Sequence, residues 1–224
     1  MKQDYFVYFK GGATYTLDGF TNGEQGVQWT NRQPLVWLAY PGHRPVIEMS
    51  KRALRLVDTD ANNFYFDGFE VSTVNTDAGK EFRMAIRIGS LSNNDNSQER
   101  LSRYQRTEGH SNQSAIMISA DASGKYWSIQ DNEFYDIQRP TAFWAIPQKV
   151  LVEDNYFHDN TGGHQIGPKD GTQYWTIRHN RMTNIANYKD GTYAMGIWVY
   201  GDNTRGASYG YMDVVYNHVS MVSG

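Results

Sequence analysis

Four times in the second half of the chain, a short apolar strand closes on an asparagine and then on a large side chain. The copies read Trp-Ser-Ile-Gln-Asp-Asn-Glu-Phe (127–134), Val-Leu-Val-Glu-Asp-Asn-Tyr-Phe (150–157), Trp-Thr-Ile-Arg-His-Asn-Arg-Met (175–182) and Asp-Val-Val-Tyr-Asn-His-Val (213–219). An earlier copy, Asn-Phe-Tyr-Phe-Asp-Gly-Phe-Glu-Val (63–71), puts Gly68 in the asparagine slot. Asn132, Asn155, Asn180 and Asn217 follow one another at 23, 25 and 37 residues. A strand-turn unit of this size cannot bury its apolar face alone, so copies must stack. Strands without a helical period predict an all-β chain, a parallel β-helix or solenoid whose insertions enter at the turns. Asparagine suits the bend because it tolerates left-handed backbone and can pass a hydrogen bond to the equivalent amide one coil away.

A second set of strands lies upstream of the asparagine strands: 85–89, 115–119, 142–146, 163–167 and 196–200. Strands alternate faces. With Ile86/Ile88, Ile116/Ile118, Phe143/Ala145, Ile166 and Ile197/Val199 inward, Arg87, Met117, Trp144, Gln165 and Trp198 form an outward column roughly 20 Å long. One domain, 1–224, is expected. Its opening coils hold strands at 5–9 and 34–39, and a long polar insertion is expected at about 90–113, a position suited to a functional loop or to a plain surface loop. The chain stops straight after a strand, so a truncated or uncapped fragment is expected.

Composition narrows the partners. A formal charge of -3 gives no electrostatic case for nucleic acid or an anionic membrane. No apolar run approaches the roughly 18 residues of a membrane helix. Cysteine is absent, so disulfides and thiolate metal sites are unavailable. No signal peptide is visible at the first residues, which lack an unbroken apolar stretch. Aromatics stand out, with Tyr 16, Trp 6 and Phe 10. Exposed rings suit the C–H faces of sugars, and buried ones suit strands.

The strand-asparagine-aromatic pattern resembles the right-handed parallel β-helix proteins of the pectate-lyase superfamily. Tyr40-Pro41-Gly42-His43-Arg44-Pro45-Val46-Ile47 is similar to an early-coil segment of bacterial members that act on acidic polysaccharides. Residues 164–202 resemble the stretch that holds the catalytic lysine in the chondroitinase B and alginate lyase family. Here that stretch contains His164-Gln165-Ile166-Gly167-Pro168-Lys169-Asp170-Gly171 and Met195-Gly196-Ile197-Trp198-Val199-Tyr200-Gly201-Asp202. The resemblance implies a polysaccharide lyase-like protein that cleaves a uronate-containing polysaccharide by β-elimination, in an extracellular or periplasmic setting. It places the base at Lys169. The family's acidic calcium ligands are not matched, since Gly162 and His164 stand there, and its arginine one coil on is replaced by Trp198 or a neighbour. No cofactor is expected, with Ca²⁺ left open.

β-Elimination needs a base near C5, a proton donor for the leaving oxygen, and positive charge on the C6 carboxylate, because the transition state adds charge there. Lys169 or His164 is the candidate base and Tyr200 the donor. Arg178, Arg181, Arg205 or Lys189 could neutralise. Arg87, Trp144, Gln165, Arg178, Trp198 and Arg205 are the candidate substrate-binding residues. Lys169 reads equally as a solvated turn lysine, and His164 as a buried, hydrogen-bonded histidine. Two other classes stay open. One is a non-catalytic glycan-binding β-helix, such as a phage fibre or tailspike-like module. The other is a glycoside hydrolase using two of Asp154, Asp159, Asp170 and Asp202. Acidic residues beside the asparagines (Asp131, Glu133, Glu153, Asp154) read as edge residues that discourage aggregation.

Overall fold

The computed structural model of the chain describes residues 5–17, 27–29, 35–49, 55–59, 64–74, 83–88, 98–107, 113–118, 125–135, 137, 141–143, 148–168, 173–187, 193–199 and 210–222. Among these residues the chain is all-β, without a helix. Its strands are β1 (Tyr5–Phe9), β2 (Thr14–Leu17), β3 (Val27–Trp29), β4 (Leu35–Ala39), β5 (Val46–Met49), β6 (Arg55–Thr59) and β7 (Phe64–Val74). There follow β8 (Arg83–Ile88), β9 (Gln98–Thr107), β10 (Gln113–Ile118), β11 (Lys125–Gln130), β12 (Glu133–Tyr135), β13 (Thr141–Phe143) and β14 (Gln148–Glu153). The last are β15 (Tyr156–His158), β16 (Gly163–Gly167), β17 (Gln173–Arg178), β18 (Arg181–Ile185), β19 (Ala194–Ile197), β20 (Met212–Val215) and β21 (His218–Met221).

All pairings are parallel, in a curled 14-stranded sheet and a 7-stranded sheet. The smaller sheet runs β3-β6-β8-β10-β13-β16-β19. In the larger one, β11-β14-β17-β20 stack before the asparagine bend and β12-β15-β18-β21 after it. The two stacks join because β7 and β9 run through the bend unbroken. β7 pairs with β4 and β5, and β9 pairs with β11 and β12. The polar stretch expected as an insertion at 90–113 therefore holds a strand, β9, hydrogen-bonded to β7 on one side and to β11 and β12 on the other.

Alternation sets the core. Trp127, Val150 and Trp175 lie in one register column, Ile129, Val152 and Ile177 in the next, and Phe134, Phe157 and Met182 beyond the bend. All nine are buried. Equivalent side chains on neighbouring strands touch, so Phe134 and Phe157 stack at 4.9 Å. In the first strands the core is a cluster of Phe9, Trp37, Phe66 and Phe69, with Phe66 and Phe69 rings 4.3 Å apart.

The asparagines form a ladder. Asn132 Nδ2 donates to Asn155 Oδ1 at 2.8 Å, Asn155 Nδ2 to Asn180 Oδ1 at 2.9 Å, and Asn180 Nδ2 to Asn217 Oδ1 at 2.9 Å. The amide-to-amide bond is as expected, but the left-handed backbone is not on the asparagine. It falls one residue earlier, on Asp131, Asp154, His179 and Tyr216, with φ of 54–55°. That kink turns the asparagine side chain inward, where three of the four are almost fully buried.

Gly68 is corrected in the same way. It has φ 85° and occupies the kink position, while buried Phe69 takes the asparagine's place. A Cβ on Gly68 would lie 2.7 Å from Ala39 Cβ. Gly68→Ala should cost about 1–3 kcal/mol in chemical denaturation, from left-handed strain plus the clash. Ala39→Gly in the same chain should recover the steric share only, so a cycle of the two changes should show coupling.

Candidate functional site

The strands of the expected outward column fall on the smaller sheet. Its register aligns Arg87 with Met117, Met117 with Ala142 and Ala142 with Gly167. One residue beyond the Ile166–Ile197 pair, Trp198 comes opposite Gly167, and its N–H donates to Ile166 O at 2.9 Å. Arg87 and Met117 thus share a register column, in which Ala142 and Gly167 stand where Trp144 and Gln165 were expected. β8 is three strands from β16, so Arg87 is roughly 14 Å away along the sheet.

Gln165 is not outward. It is fully buried and its Oε1 accepts from buried Asn160 Nδ2 at 2.7 Å. Its register neighbour Gly196 also faces the core, since a Cβ there would meet Val219 Cγ1 at 2.9 Å and Met182 Sδ at 3.2 Å. All five positions of β16 are buried, so exposure does not reveal its phase. His164 is 8% exposed, and both ring nitrogens are shielded from solvent. Its ring lies 5.5 Å from that of Trp198, which is 37% exposed, and fills the space a side chain on Gly167 would need. Lys169, Tyr200, Trp144, Lys189, Arg205, Asp170 and Asp202 lie outside the described residues.

Arg178 belongs to the other sheet. On β17 its Nε donates to Glu153 Oε1 at 2.6 Å, and Gln130 Nε2 donates to Glu153 Oε2 at 2.9 Å. β16 and β19 are in the smaller sheet, so Arg178 and the β16–β19 pair lie on different sheets.

A cluster that the sequence reading did not single out lies on β12, β15 and β18. Tyr156 and His158 alternate with buried Phe157, so they fall on the other face of β15. His158 Nε2 lies 3.1 Å from Glu133 Oε1 and Nδ1 lies 2.6 Å from Asp159 Oδ2. Its ring stacks on Tyr135 at 5.1 Å and on Tyr156 at 4.4 Å. The Arg181 guanidinium sits 5.2 Å from the Tyr156 ring centre, and Tyr156 OH meets Thr183 Oγ1 at 3.1 Å. Asn184 Nδ2 donates to Asp159 Oδ1. Glu133 and Glu153, expected as edge residues, each hold a partner on a neighbouring strand, His158 and Arg178 respectively. Asp159, a candidate hydrolase carboxylate, is held by His158 and Asn184. The available signal was the Tyr-Phe-His triplet of β15, with polar rings flanking a core phenylalanine.

Hydrogen bonds set two carboxyls. Arg178, aided by Gln130 and opposed by burial, holds the Glu153 carboxyl below the usual carboxylate range. His158 and then Asn184 do the same for Asp159. A lowered folded-state value means these contributions are complete above the unfolded values of about 4.3 and 3.9 and fade as pH falls through the folded ones. Thermal melts should show this loss below about pH 4, and Glu153→Gln with Asp159→Asn should flatten that acid limb while leaving its neutral end lower.

Comparisons with protein-family models, curated proteins and solved structures find no match to this chain.

Proposed function

We propose that the chain is a right-handed parallel β-helix of the pectate-lyase type and a lyase-like protein that acts on an acidic, uronate-containing polysaccharide by β-elimination. Three parallel stacks built from successive strands, with an asparagine ladder at one bend, support the architectural part. One observation carries the functional part: β16 pairs with β19, Ile166 opposite Ile197. That pairing sets both halves of the lyase-like stretch on neighbouring strands, with Lys169 just after β16 and Tyr200 just after β19 in sequence.

In this reading Lys169 removes the C5 proton. The electron pair forms the C4–C5 double bond, and the C4 oxygen leaves with a proton from Tyr200. Positive charge at the C6 carboxylate lowers the barrier, because charge accumulates there in the transition state. Arg205 or Lys189 is the cation in question, since Arg178 is engaged by Glu153 and Arg181 lies over the Tyr156 ring. Trp198 offers its ring to a sugar face. A secreted or periplasmic setting goes with this substrate.

A second reading, a non-catalytic glycan-binding module, is favoured by the burial of His164 and Gln165. The assay is incubation with alginate, pectate, chondroitin and dermatan, followed at the ultraviolet absorbance of an unsaturated uronate. A signal that Lys169→Ala removes supports the lyase. Glycan binding without product supports the second reading, and neither signal ends both.

A further inference from the structure

The segment 40–47 takes no part in the elimination step above, yet it builds a second surface of defined chemistry. β1 and β4 pair side by side, and each is followed by a turn, 10–13 after β1 and 40–45 after β4. The turns are fastened together. Gly11 N–H donates to His43 Nδ1 at 3.2 Å, and Tyr40 N–H donates to Phe9 O at 2.9 Å. Within the second turn His43 N–H donates to Tyr40 O at 2.9 Å, and Tyr15 OH braces the first by donating to Lys10 O at 2.9 Å. Gly11 allows the close approach, since a Cβ there would lie 3.0 Å from Arg44 N and from His43 Cβ.

This hydrogen-bonded pair of turns displays two half-exposed rings and two cations. Tyr8 is 51% exposed and Tyr40 is 50% exposed, with ring centres 5.5 Å apart and planes tilted by 47°. Lys10, His43 and Arg44 are exposed in the same two turns, and the His43 ring centre lies 6.2 Å from that of Tyr40. No ion pair to Lys10 or Arg44 occurs among the described residues. Because His43 Nδ1 accepts a hydrogen bond, its hydrogen sits on Nε2, which adds a donor. Flat rings for C–H faces, set beside donors and cations for a carboxylate, form a complementary set for a carboxylated sugar.

We propose that Tyr8, Tyr40, Lys10, His43 and Arg44 form an accessory subsite for an anionic saccharide bearing carboxylates. It rests on the uronate reading above for its choice of ligand. It is separate from the β16–β19 pair: along β4-β7-β9-β11-β14-β17 it lies roughly 24 Å from the β17 level. A polysaccharide could meet both, so the subsite would hold a long substrate on the protein and act little on a short one.

The test is titration calorimetry of the full chain with tetragalacturonate and tetramannuronate, with maltotetraose as the neutral control. Tyr40→Ala should weaken uronate binding about fivefold to tenfold through loss of one ring face. Lys10→Ala with Arg44→Ala should weaken it by about tenfold at low salt and by less at high salt. Tyr216→Ala, at a still more exposed tyrosine at the opposite end of the larger sheet, should leave binding unchanged. All these side chains are exposed, and circular dichroism would check that each variant folds. Uronate binding untouched by the Tyr40 and Lys10/Arg44 changes overturns the subsite and leaves the proposed function standing. Equal affinity for polyglutamate, or no uronate binding at all, also overturns the subsite, while the elimination assay judges the proposed function separately.

Discussion

Asn155→Ala should lower stability by about 3–5 kcal/mol, an effect that only its ladder neighbour Asn180 should match among the described asparagines. Asn155 is 1% exposed and stands inside the ladder. Its Oδ1 accepts from Asn132 N–H at 3.1 Å and from Asn132 Nδ2 at 2.8 Å. Its Nδ2 donates to Ile129 O, Glu153 O and Asn180 Oδ1. Alanine removes all five bonds and leaves buried partners on the strands below and above. An unsatisfied buried group costs about 1–3 kcal/mol, and the costs overlap because the partners are shared. Asn217→Ala should cost roughly half as much, since Asn217 is half-buried and ends the ladder. Urea melts of both variants decide the matter. Equal, small losses would show that the ladder contributes little to stability.

Phe157→Ala should cost about 3–5 kcal/mol by leaving a cavity between Phe134 and Met182. Phe157 is fully buried and is the register neighbour of both. Its stack on Phe134, at 15° between planes, adds ring-to-ring attraction to the area buried. Phe157→Leu keeps most of the volume and should cost about 1.5 kcal/mol or less, so the difference isolates the cavity. Both should shift the urea midpoint with little change in slope. A loss below about 1 kcal/mol for the alanine variant would mean that the neighbouring strands close the gap.

The surface consequence of Phe157 is indirect. Tyr156 and His158 flank it, so a collapse at Phe157 would displace the ring that lies between Glu133 and Asp159. That cluster was poorly legible in the sequence. Its members are 133, 135, 156, 158, 159 and 181, and only stacking of three strands brings them together. Arg178 and Glu153 met in the same way, 25 residues apart.

The apolar alternation of 127–134, 150–157 and 175–182 was legible because one face of each strand is buried and the other is not, and period two follows directly. β9 was not legible. Gln98–Thr107 reads Gln-Glu-Arg-Leu-Ser-Arg-Tyr-Gln-Arg-Thr, which lacks that alternation. Its strand character comes from backbone pairing with β7, β11 and β12, and no local pattern reports that. Gln165 failed for the opposite reason. β16 is buried throughout, so the inward phase was open to a one-residue error.

The sequence by itself determined the parallel stacking and the asparagine ladder, because spaced copies of one strand-bend unit have few other ways to bury their apolar faces. Tertiary structure alone decided which residue takes the left-handed kink. Asparagine is the better left-handed former, yet its side chain is needed inside to bond the next amide, so Asp131, Asp154, His179 and Tyr216 adopt the strained angle instead. Tertiary structure also decided the company of His158, Gln165 and His43, since contacts between strands depend on register, and register is a property of the assembled sheets.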